Sequence, residues 1–132
     1  MPSTLAIPEA RRALATMFID LCLAFHVTTV PPGGEPGEID ANLALVAVAA
    51  MLGHAEGHPM TVSQIAARLR MPRTSALRRL NALVDSGLLV RIDGSYELDP
   101  HRAHQVPHRD KFELILSRGF EVLGPHLSDL DT

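Results

Sequence analysis

The stretch TVSQIAARLRMPRTSALRRLNALVDSGLLVRIDGSYEL, residues 61 to 98, decides the fold. Thr61-Val62-Ser63-Gln64 places a hydroxyl three residues before an amide. At that spacing each side chain can satisfy the other's backbone N–H, which starts a helix. A short helix is predicted over 62–69, with Val62, Ile65, Ala66 and Leu69 facing inward. Arg70-Met71-Pro72 reads as a tight turn. A second helix is predicted over 73–86, with Gly87 as its left-handed stop. Leu88 to Ile92 reads as a strand, Asp93-Gly94 as a two-residue hairpin turn and Ser95 to Leu98 as the returning strand. Helix, turn, helix and hairpin in this order make a winged helix-turn-helix.

The helix over 73–86 has two unlike faces. At about 100° per residue, Ala76, Leu80, Leu83, Val84 and Gly87 form one apolar stripe. Thr74, Arg78 and Asn81 lie opposite, flanked by Ser75 and Leu77. Those groups match what base edges offer in a major groove. A guanidinium can take guanine through two hydrogen bonds, an amide can do the same with adenine, and Leu77 suits a thymine methyl. Arg73 sits at the helix start, where dipole and side-chain charge both favour phosphate. Thr61, Ser63 and Arg70 surround the preceding helix and turn, where phosphate contacts would hold the unit in register. Arg91 on the hairpin is within reach of backbone or minor groove. Arg79 stands near the buried edge and is expected to snorkel outward, to a phosphate or to an acid.

The charge distribution agrees with this reading. The net charge is −3, yet residues 61–91 hold six arginines against Asp85 alone. A basic patch on an acidic body is the footprint of a DNA reader.

The pattern resembles the winged-helix transcription regulators of the MarR and IclR type. The resemblance is carried by Thr61, Gln64, Ile65 and Ala66, by Met71-Pro72-Arg73-Thr74-Ser75, and by Leu80, Leu83 and Gly87-Leu88-Leu89. It covers roughly residues 60–98, under a third of the chain. It implies double-stranded DNA as partner, with helices before and after the winged unit forming a homodimer. A small-molecule effector held between the first, second and last helices is a further implication. Two departures stand out. The hairpin turn is short and carries an acid, Asp93, where MarR wings are longer and basic, which argues against insertion into the minor groove. The large effector domain of IclR proteins has no counterpart here.

The rest of the chain reads as support, and the whole as a single domain, 1–132. Residues 1–7 read as a loose arm. A helix over 8–30 places Leu14, Met17, Phe18, Leu21 and Phe25 on one stripe, widened by Ile19, Leu23 and Val27. So broad a stripe suits its own core and a partner subunit together. The loop PPGGEPG, residues 31–37, ends it. A second helix is expected over 38–55, with Glu38 and Asp40 at its positive end and Gly53 and Gly57-His58-Pro59 closing it. The winged-helix core then spans 38–98. Residues 99–106, rich in proline and histidine, read as irregular. A last helix is expected over 107–124, with Phe112, Ile115, Leu116, Phe120 and Leu123 at helical spacing.

Competing chemistry is thin. His101, His104 and His108, and the pair His54 and His58, have helical spacing but are flanked by Pro100, Pro107, Gly57 and Pro59. They read as surface or hairpin-packing residues rather than metal ligands. No nucleophile elbow and no phosphate-cradling glycine motif is present, so no catalysis and no cofactor are expected. Cys22 cannot form an internal disulfide, which suits a reducing compartment, and reads as a small core residue. No signal peptide is visible. The longest apolar run, Leu43 to Leu52, is too short for a bilayer, which needs about 20 residues. The expectation is a mainly α winged-helix regulator, cytoplasmic and dimeric, with no membrane partner. The alternatives are a winged-helix scaffold that docks a protein, and a metal- or small-molecule-responsive repressor.

Overall fold

The computed structural model describes residues 8–30, 37–38, 40–103 and 109–125. The elements are α1 (Glu9–Thr29), α2 (Ala41–Ala55), β1 (Met60–Thr61), α3 (Val62–Leu69), α4 (Arg73–Asp85), β2 (Leu89–Ile92), β3 (Ser95–Leu98), α5 (Pro100–Ala103) and α6 (Arg109–Leu123). The fold is mainly helical with one small sheet. The chain divides into two compact units. One comprises Phe25–Pro107, the other the described parts of Met1–Ala24 and His108–Thr132.

The core of the Phe25–Pro107 unit forms where three helices meet the sheet. Val46, Ala49 and Ala50 of α2 pack with Val62, Ile65 and Ala66 of α3, Ala76, Leu80 and Leu83 of α4, and Leu88, Leu89 and Tyr96. Alanines on α2 and α3 let the helix axes approach, and the leucines of α4 fill the space between them. The capping box at Thr61 forms as predicted. Gln64 N donates to Thr61 Oγ1 at 3.3 Å and Thr61 N to Gln64 Oε1 at 2.9 Å. At the far end of α4, Gly87 adopts φ +85°. There Gly87 N donates to Val84 O and Leu88 N to Leu83 O, at 3.0 and 3.1 Å. This pair of bonds closes a helix through a left-handed residue. Asp93 and Gly94, at φ 51° and 81°, make the two-residue turn with both residues left-handed.

Three expectations are corrected. Alpha helix α2 starts at Ala41, not at 38, because Asp40 takes the cap: its Oδ1 accepts Asn42 N at 3.0 Å and Leu43 N at 3.1 Å. Gly53 does not end α2 but lies buried within it. A Cβ there would sit 3.0 Å from His58 O, so glycine lets the chain fold back against the helix. Within 99–106, residues 100–103 are not irregular but form α5. Pro107 and His108, placed in the last helix, lie outside the described residues, as do residues 1–7, most of the 31–37 loop and His104.

The sheet has a strand that the sequence reading did not include. Strand β1 pairs with β3 in the register Met60↔Tyr96 and Thr61↔Ser95, so the antiparallel order is β1-β3-β2. Beyond the end of β1, His54 Nδ1 accepts Leu98 N at 3.2 Å, with Glu97 Oε1 at 3.8 Å. His54 is thus a hairpin-packing residue.

In the other unit, Ile115 and Gly119 of α6 are buried, while Leu14, Phe18, Ile19 and Leu23 of α1 and Leu114, Leu116 and Phe120 of α6 are exposed. Phe18 is 66% and Phe120 56% exposed, while Phe112 is half-buried, so two of the three phenylalanines of this unit face outward. By length and composition α1 is also long and apolar enough to cross a membrane. Asp20 interrupts the apolar run of α1, so the longest unbroken run in the sequence lies elsewhere, at Leu43 to Leu52.

Leu80, wholly buried, and Tyr96, buried with a hydroxyl lacking a partner among the described residues, make opposite predictions. Leu80→Ala should cost about 2–5 kcal/mol by urea denaturation. Tyr96→Phe should be neutral or stabilising by up to about 1 kcal/mol, since it removes an unsatisfied buried group.

Candidate nucleic-acid interface

The core fixes the rotation of α4. With Ala76 and Leu80 fully buried and Leu83 at 1% exposure, Thr74, Arg78 and Asn81 are turned to solvent. Among the described residues none of these three side chains has a hydrogen-bond partner, so a hydroxyl, a guanidinium and an amide stand ready on one face. Ser75 and Leu77 are half-buried at its edges. Leu77 also packs against the core, which restricts what it can offer a ligand to its exposed part.

The N-terminal end of this face is preorganised. Arg73 Nε donates to Ser63 Oγ at 3.3 Å, which ties the first residue of α4 to the first turn of α3. That bond leaves the terminal nitrogens of Arg73 uncommitted, close to where a phosphate would meet the start of α4. Thr61 is half-buried, and its oxygen is spent on the cap of α3. Only its hydroxyl hydrogen remains for another acceptor.

Arg70 closes α3 in the left-handed conformation, φ 54° and ψ 45°. An L-residue there costs about 1 kcal/mol relative to glycine. Its side chain is exposed, as is that of Arg91 on β2.

Two of the six arginines are turned elsewhere. Arg79 Nε lies 3.5 Å from Asp40 Oδ2, and its Nη1 donates to Ser75 O at 3.4 Å. The expected outward reach of Arg79 thus ends on an acid. Asp40 does two jobs: one oxygen caps α2, and the other holds the flank of α4. Arg68 lines an open groove with Glu56, His58 and Gln64, beside the end of α2. The basic patch therefore narrows to Arg70, Arg73, Arg78 and Arg91.

The links that Asp40 and His54 make from α2 to α4 and β3 are not expected from the sequence. Asp40 could have been found as an N-cap, since it directly precedes the apolar run of α2. Nothing local marks its pairing with Arg79. Among the described residues no three His, Cys, Asp or Glu side chains gather where they could hold a metal. Cys22 is half-buried. A groove on α1 and α6 is lined by Glu9, Arg12, Thr16, Asp20, Ile115 and Arg118, with no residue of α2.

A helix-turn-helix domain family matches residues 46–92, from the middle of α2 to the end of β2. No curated protein and no solved structure matches the chain. The match includes every residue of the α4 face and all four arginines of the narrowed patch.

Asp40 offers a way to separate its two jobs. Asp40→Asn keeps an oxygen for the cap and loses the charge, so it should cost under about 1 kcal/mol. Asp40→Ala loses both and should cost about 1–2 kcal/mol. Denaturation midpoints of the two variants measure the difference.

Proposed function

We propose that the chain is a sequence-specific, double-stranded-DNA-binding transcriptional regulator of the MarR-like type. It acts in the cytoplasm as a homodimer with α4 in the major groove. The observation that carries this reading is the α4 face: Thr74, Arg78 and Asn81, exposed and unbonded, opposite a fully buried stripe. An α-helix fits the major groove, and these side chains carry the donors and acceptors that distinguish base pairs there.

Arg73, Ser63, Thr61 and Arg70 then contact phosphates and set the register, while Arg78 and Asn81 read bases. Arg91 supplies one further cation from the sheet. The wing turn, with Asp93 at its tip, contributes little. The acidic remainder of the chain confines attraction for DNA to this one face and limits non-specific wrapping.

A homodimer explains the outward apolar side chains of α1 and α6. Phe18, Ile19, Leu23 and Phe120 make an apolar surface of the kind that a soluble monomer seldom leaves open. Covering it with a second copy pairs two readers by a twofold axis. Analytical ultracentrifugation should give a dimer at micromolar concentration, and Phe18→Glu should give a monomer whose winged unit stays folded. A wild-type monomer that instead partitions onto lipid vesicles would assign the surface to a membrane.

Selection from random duplex DNA tests the reading as a whole. It should enrich a pseudo-palindrome with half-sites roughly 34–36 Å apart. No enrichment would overturn DNA reading. Arg78→Ala should weaken the selected duplex by about 1–3 kcal/mol and relax one base position. Arg73→Ala should weaken all sequences alike and lower the salt dependence. Arg70→Gly should raise thermal stability slightly, by relieving the left-handed strain, while weakening DNA binding.

A further inference from the structure

A helix leaves its last carbonyls without intrahelical donors. Helix α1 closes them without a glycine cap. Thr28 Oγ1 donates to Phe25 O at 2.6 Å, Thr29 Oγ1 to His26 O at 2.7 Å, and Val30 N to Val27 O at 3.2 Å. The carbonyls of Thr28 and Val30 are left to one side chain from far along the chain. Arg102 Nη2 donates to Thr28 O at 3.1 Å and to Val30 O at 2.6 Å.

Arg102 is only 7% exposed. Neither ion pair of the described residues given above, His54–Glu97 or Arg79–Asp40, includes Arg102, and no carboxylate among the described residues pairs with this charge. It is met by carbonyl dipoles at the negative end of α1. A buried guanidinium is costly unless its surroundings are fixed, and here its Nε has no partner among the described residues.

The other side of Arg102 is held as firmly. Its backbone N donates to Asp99 Oδ1 at 2.9 Å, and Asp99 N donates to Leu88 O at 2.9 Å. Leu88 belongs to the core at the base of the hairpin. Helix α5 is a single turn, too short to be stable alone. Its main effect is to direct Arg102 at the end of α1. A line of hydrogen bonds thus runs from the hairpin base, through Asp99 and Arg102, to the last turn of α1.

We propose that Arg102 is a positioning residue that clamps the end of α1 to the winged unit. In the dimer it sets how strictly half-site spacing is read. This rests on the reading of α1 as the dimer helix. Each inserted base pair moves a half-site by about 3.4 Å and turns it by roughly 35°. A stiffly held α1 rejects such a displacement. A loosened one lets each reader follow its half-site.

The test uses the full chain, with duplexes carrying the selected site, the same site with one or two base pairs added between half-sites, and a single half-site. Arg102→Met keeps the apolar stem and removes the donors. Arg102→Lys keeps a charge without the planar fork. The wild type should lose about tenfold or more in affinity per shift, as the second half-site disengages. Arg102→Met should lose less than about threefold for the same shift, with single half-site affinity within about twofold of wild type, and Arg102→Lys should fall between.

Wild-type spacing discrimination in both variants would overturn the proposal. So would a parallel loss of single half-site affinity, which would mark Arg102 as a general stabiliser. If Arg102→Met does not fold, Arg102→Lys alone decides between these outcomes. A wild type indifferent to spacing would instead remove the dimer reading beneath the proposal.

Discussion

Everything at the candidate interface depends on the burial of Ala76, Leu80 and Leu83. Each fully buried leucine contributes about 1.5–3 kcal/mol. The competing local terms are smaller: a helix cap gives about 1 kcal/mol and a partly exposed ion pair such as Arg79–Asp40 less. The apolar stripe therefore decides the rotation of α4. A rotation by one residue would drive Asn81 into the core, where an unpaired polar group costs several kcal/mol. The face that meets solvent is the consequence of the face that cannot.

The smaller terms then fix position along and between helices. The capping box starts α3 at Val62, and the left-handed Gly87 stops α4. The Ser63–Arg73 bond spans the turn between them. Asp40 and His54 reach from α2 to α4 and β3, and Arg102 reaches to α1. Each is one or a few contacts of modest strength. Together they leave α4 few ways to tilt without also moving its neighbours.

This division explains what could be read from the sequence. The capping box, the Pro72 turn, Gly87 and Asp93-Gly94 act over a few residues, and each lies where the pattern put it. The two faces of α4 follow from helical period alone, so the exposure of Thr74, Arg78 and Asn81 was legible too. Strand β1 was not, because two residues have no period and exist as a strand only through β3. Arg79 was placed at the right edge, but its partner lies 39 positions away in the chain. Arg102 lies in a stretch dominated by proline and histidine, where nothing local marks its bonds to the carbonyls of Thr28 and Val30. The broad stripe on α1 was visible as breadth. Which side of it faces outward depends on Gly119 and Ile115, residues of a helix some hundred positions later.

The most direct test of α4 as the reading element is a map of backbone amide shifts on adding the duplex obtained by selection. The account predicts the largest changes along Arg73 to Asn81, with smaller ones at Thr61, Ser63 and Arg70 and little at the wing turn. Changes confined to α1 and α6, or centred on Asp93 and Gly94 with α4 unmoved, would contradict it.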